Sequence, residues 1–146
     1  MPFPVVGLKD DPGRRRHAIV DSPGRLRGEE LEEAAYESDL LVVPTTPDAL
    51  AISALAAFLE DLEGFEGHAE HRVLLTMVPW WNFSGAWARR DLMEAGIPLF
   101  EGQVRLREAV RTAALDGVPV YELAGRGAKQ VWEDYRGIGE EVLGRR

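Results

Sequence analysis

Short apolar runs alternate with stretches of helical periodicity along the whole chain, and this alternation most restricts what it can fold into. Parallel strands need a crossover between them, and a helix is the usual crossover. The pattern therefore predicts an α/β fold with a mostly parallel sheet and helices on both faces. Candidate strands are Phe3 to Leu8, His17 to Asp21, Asp39 to Val43, Arg72 to Val78, Ile97 to Phe100 and Val118 to Tyr121. Several are apolar at every position, as a sheet covered on both sides requires. With 146 residues and no linker or internal repeat, residues 1–146 read as a single α/β domain.

The intervening segments carry helix signals. Glu29 to Glu37 puts Leu31, Ala34 and Ala35 on one face and acids on the other, the pattern of a superficial helix. Asp48 to Leu62 is almost wholly apolar through Leu59, which predicts a deeply packed helix, with Thr46 as N-cap and Pro47 at the first helical position. Ser84 to Ala95 ends at Gly96 and Pro98, and Val104 to Asp116 ends at Gly117 and Pro119. A last helix starts near Ala128, with Val131, Trp132, Tyr135, Ile138 and Val142 recurring at steps of three and four as a docking stripe.

Charge and cysteine count exclude several functions. Lys+Arg 17 against Asp+Glu 25 leaves a net charge of −8, so the average surface repels phosphate and any DNA contact must come from a local arginine cluster. With Cys 0 there is no disulfide framework, thiolate metal site or cysteine nucleophile. No run approaches the ~20 apolar residues of a spanning helix, and no basic region precedes an apolar signal core. Acids at Glu133, Asp134, Glu140 and Glu141 disfavour docking of the last helix on an anionic membrane. A cytoplasmic protein without membrane contact is expected.

The segment His17 to Gly24, HAIVDSPG, carries the clearest chemical signal. An apolar strand ends in Asp21 and breaks into a Ser-Pro-Gly turn. Ligands of open α/β sheets bind beyond the carboxyl ends of strands, where a carboxylate can hold hydrated Mg²⁺ and a glycine lets backbone approach a phosphate. Read alone, the pattern favours Asp21 as a residue that simply opens a turn.

The order of segments that follow resembles the ParA/MinD-type partition ATPases, a branch of the P-loop NTPases, over nearly the whole chain. HAIVDSPGR at 17–25 looks like that family's Walker B and switch II region, and DLLVVPTTPDALAISAL at 39–55 like its next strand, proline-bearing loop and helix. RVLLTMVPWW at 72–81 is similar to the strand and loop that approach adenine. LFEGQVRLREAVRTAALDGVPVYEL at 99–123 is similar to the region ending in Gly-x-Pro-Val, and GAKQVWEDYRGIGEEV at 127–142 to the terminal docking helix. The resemblance implies ATP and Mg²⁺ as cofactors, with Asp21 as catalytic and metal-binding residue and Ser22, Gly24, Thr76 and Pro119 beside the nucleotide. It also implies a homodimer, a ParB-like partner and nonspecific DNA binding through Arg105 and Arg107, in the service of chromosome or plasmid segregation.

The departures are equally specific. The family's P-loop strand and helix have no counterpart in these residues. The lysines are Lys9 and Lys129, and GRGAKQ at 125–130 lacks the GK[ST] core that reaches phosphate and Mg²⁺. Where the family commonly offers an Asn to adenine stands Thr76, whose hydroxyl cannot make the amide's paired contact. The chain reads as the portion of such an ATPase after the P-loop, and ATP turnover by it alone is not expected. The missing strand predicts an uncovered sheet edge, hence edge-to-edge pairing of two chains near Val5 and Val42. A non-catalytic interaction module that has lost nucleotide hydrolysis is the alternative. A flavodoxin-like or receiver-like domain with Asp10 and Asp11 at a strand end ranks below both.

Two further clusters carry competing readings. Trp80, Trp81, Phe83 and Trp87 beside Arg89 and Arg90 could stack bases and hold phosphates, but helical placement of Trp87 near Leu92 and Met93 favours core packing or a subunit interface. Arg105, Arg107 and Arg111 fit either DNA contact or a solvated helix start. His68 and His71, with Glu66 and Glu70, have a helical metal-ligand spacing, yet Gly64 and Gly67 mark a solvated loop. Ser22 lacks the GxSxG elbow of a nucleophile.

Overall fold

The computed structural model describes residues 17–24, 26–67 and 69–144. The strand expected at Phe3 to Leu8, together with Lys9, Asp10, Asp11 and His68, lies outside the described residues. The elements are α1 (Glu29–Glu37), β1 (Leu40–Thr45), α2 (Ala49–Glu63), β2 (Glu70–Leu75), α3 (Ser84–Glu94), α4 (Glu108–Asp116) and α5 (Arg126–Val142), with a 3₁₀ turn at Val120–Glu122. The fold is α/β.

β1 and β2 pair in parallel from Leu40↔Glu70 to Thr45↔Leu75. Side chains alternate across β2. Val73 and Leu75 enter a core with Leu31, Ala35, Leu55, Leu59, Leu62, Ala88 and Leu92 from α1, α2 and α3, and with Val78 from the loop before α3. Leu74 points to the opposite face and packs with Phe100, Val104, Val131 and Ile138, the last two from α5. Helices thus cover both faces of β2, which explains why its sequence is apolar at consecutive positions.

The third position in the sheet is irregular. Val73 donates its amide to the Pro98 carbonyl and accepts from Phe100, forming an isolated Val73↔Leu99 bridge where the periodicity predicts a strand over Ile97 to Phe100. The ladder breaks because the next amides, Glu101 and Gly102, donate to the Glu141 carboxylate at 2.8 and 2.7 Å. It resumes when Val104 donates to Leu75 and Val78 exchanges bonds with Val104 and Leu106. That extended stretch delays α4, which begins at Glu108 instead of the expected Val104.

Two expected strands are absent as strands. Val118 to Tyr121 becomes the 3₁₀ turn, because the Val118 amide is taken by Ala113 at the end of α4, where Gly117 sits at φ 65. His17 to Asp21 forms no strand among the described residues, and Ile19 is 95% exposed. Its apolar composition suits a strand, yet a strand exists only with a ladder partner, and none of the described residues supplies one.

α2 is one-sided instead of deeply packed. Leu55, Leu59 and Leu62 are buried, whereas Leu50 is 84% exposed. Its N-cap is Asp48, whose Oδ1 accepts from Ala51 N at 3.0 Å, and Thr46, the expected cap, donates instead to the other Asp48 oxygen. On α5, Val131 and Ile138 are buried, but Trp132 and Tyr135 lie at the margin, 41% and 44% exposed.

Candidate functional site

The carboxyl ends of β1 and β2 form one candidate site. Because Thr76 donates its amide to the Thr45 carbonyl, Leu41, Val43 and Thr45 turn their backbone groups toward β2. The other edge then presents Leu40, Val42 and Pro44, and Pro44 has no amide to offer. Thr76 adds a second bond to the same carbonyl from Oγ1, 3.2 Å. The hydroxyl expected beside adenine is therefore engaged within the sheet. The next residue, Met77, has φ 51, and Val78 is buried.

The remaining nucleotide-site candidates are exposed. His17 to Gly24 is exposed throughout, so Asp21, Ser22 and Gly24 lie on an open segment. Pro119 is exposed and precedes the 3₁₀ turn. His71 lies on β2 and not in a loop, and the described residues hold no cluster of three or more side chains suited to a metal.

The arginines have partners on the opposite core face. Arg105 clasps Asp134 with its Nε at 3.1 and 3.0 Å and its Nη2 at 2.7 Å, and Asp134 also accepts the Arg105 amide at 3.1 Å. These bonds hold the guanidinium above its ordinary pKa, with burial opposing. Arg89 donates to the carbonyls of Phe100 (2.9 Å) and Gly102 (3.3 Å), and Arg107 to Gln130 Oε1 (3.1 Å). Arg90 binds Asp91 and Glu94, whose hydrogen bond and charge raise its pKa. Arg111 faces Glu108 at 3.7 Å on an exposed surface.

Arg89, Arg105, Glu101, Glu133 and Asp134 line a groove of about 590 Å³ between α3, the 101–105 loop and α5. Its mixed charge suits a polar contact surface better than a phosphate site. Sequence reasoning missed the roles of Asp134 and Glu141. The signal was available: Val131, Asp134, Ile138 and Glu141 follow steps of three and four, placing two acids within the docking stripe.

The aromatic cluster lies outside the core. Trp80, Trp81, Phe83 and Trp87 are 71%, 60%, 72% and 58% exposed, which corrects the expected core packing of Trp87. That side chain faces outward because α3 turns Gly85, Ala88 and Leu92 inward.

The chain is 35% identical over 125 residues to "Maintenance of carboxysome distribution protein A" of Gloeobacter kilaueensis, a match covering 85% of this chain and 57% of the relative. That similarity supports a ParA/MinD-like family. The chain spans little more than half the relative's length. No protein-family model matches it. Among the described residues, no helix is long and apolar enough to cross a membrane.

Proposed function

We propose that this chain carries the post-P-loop portion of a ParA/MinD-type positioning protein, which distributes a large cargo through the cell. The observation that carries this reading is the 125-residue similarity to a carboxysome-distribution protein, which covers 85% of the chain. A protein-shelled body is accordingly the preferred cargo, ahead of a chromosome or plasmid. ATP and Mg²⁺ are the cofactors of the intact machine, in which Asp21 would serve the metal. Nucleotide-driven dimerisation and nonspecific DNA binding belong to the same reading. Arg105 and Arg107 would reach DNA only after exchanging Asp134 and Gln130 for phosphate.

The test is disruption of the coding sequence in its host, followed by imaging of shelled bodies and nucleoids. Clustered or unevenly inherited bodies are expected, and unchanged spacing of both would overturn the reading.

A further inference from the structure

The loop between β2 and α3 is the least ordinary surface of the molecule. From Val73 to Ala88 the sequence contains no charged residue, although 29% of the whole chain is charged. Within this stretch the rings of Trp80 and Trp81 meet edge-to-face at 6.0 Å, and those of Phe83 and Trp87 lie 6.4 Å apart. All four are more than half exposed, as is Met77.

The loop is firmly built. Val78 is held by backbone bonds to Val104 and Leu106, and Gly85 packs so closely on it that an added Cβ would lie 2.4 Å from Val78 Cγ1. Asn82 Oδ1 accepts from the Ser84 amide and hydroxyl, fixing the entry to α3. Met77 occupies the left-handed region, a conformation disfavoured for a residue with a Cβ and found most often where function over-determines the backbone. The aromatic rings thus project from a fixed platform, which lowers the ordering cost of binding.

We propose that this aromatic surface is a self-association face that pairs two copies of the chain about a twofold axis without nucleotide. Aromatic side chains bury ~150–250 Å² each, so four at these exposures offer roughly 400–650 Å², and Met77 adds to this. A standard interface buries about 800 Å² per partner, so these rings alone supply roughly half to four-fifths of the required area. Each copy carries a net charge of −8, which opposes association at most surfaces, but this one contributes no charge of its own. Nucleic acid fits less well, because Arg89 and Arg90, the adjacent cations, are engaged with backbone carbonyls and with Asp91 and Glu94. A twofold contact also requires only one self-complementary patch. The inference does not rest on the family reading and differs from edge pairing through β1.

Sedimentation velocity of the nucleotide-free chain over a broad concentration series tests the proposal, with Trp80→Ser/Trp87→Ser and Val42→Lys as variants. The wild type is expected to dimerise reversibly, with tryptophan emission shifting to the blue as concentration rises. The double variant should weaken dimerisation by about 100-fold or more while keeping its circular dichroism, and Val42→Lys should leave it unchanged. A wild type that stays monomeric, a double variant that dimerises as well as wild type, or a dimer lost only in Val42→Lys would each overturn the proposal.

Discussion

Two apolar segments of similar character meet opposite fates: Leu40 to Thr45 becomes β1, whereas His17 to Asp21 is exposed and forms no strand among the described residues. Composition does not separate them. β1 has β2 alongside, and the ladder satisfies the amides and carbonyls of Leu41, Val43 and Thr45. The 17–21 segment has no such neighbour among the described residues, and Ile19 and Val20 gain nothing from burial. The lesson is that apolar patterning sets strand potential, while pairing decides whether a strand exists.

The largest effects should come from the paired side. Leu75→Ala removes a side chain that is 1% exposed between α2 and α3, with an expected loss of about 2–5 kcal/mol in chemical denaturation. Val20→Ala, at a position 62% exposed, should stay within about 0.5 kcal/mol. Comparable losses at both sites would break the contrast.

The next effect probes the close approach behind the aromatic loop. Gly85→Ala drives its new methyl into Val78 and should cost about 1–3 kcal/mol, read as a lower denaturation midpoint. A similar loss of about 1–3 kcal/mol is expected for Glu141→Ala, which leaves the Glu101 and Gly102 amides without their carboxylate. It should also speed exchange of those amides, while Thr76, bonded within the β1–β2 ladder, stays protected.

Much of the fold was legible because its signals are local. Stripes such as Leu55, Leu59 and Leu62, and a stop such as Gly117, act within a few residues, so α1, α2 and α3 fall close to their expected places. Long-range competition for backbone groups was not legible. Glu141 interrupts the strand after Phe100 from about forty residues away, and Ala113 takes the Val118 amide before it can join a sheet. At the candidate site the arginines were visible, but not their partners Asp134 and Gln130, which approach from α5. The family resemblance was legible from segment order, and the similarity to the carboxysome-distribution protein supports it.

The smallest effect concerns the cap of α2. Hydrogen bonds from Thr46 and the Ala51 amide hold the Asp48 carboxyl below its ordinary pKa of 3.8. A depressed carboxyl stabilises the fold above that value and ceases to do so as pH falls through its folded pKa. Asp48→Ala should therefore lower Tm slightly at neutral pH and not in strong acid. An equal loss at both pH values would show that the carboxylate charge is irrelevant.

Residue-resolved hydrogen exchange with and without Mg-ATP tests the central contrast most directly. The account predicts slow exchange at Val43, Thr76, Phe100 and Val104, whose amides sit in the ladders, and unprotected exchange at Ile19, Val20, Asp21 and Ser22 in both conditions. Protection of the 19–22 amides at the level of Thr76, or its appearance when Mg-ATP is added, would contradict it.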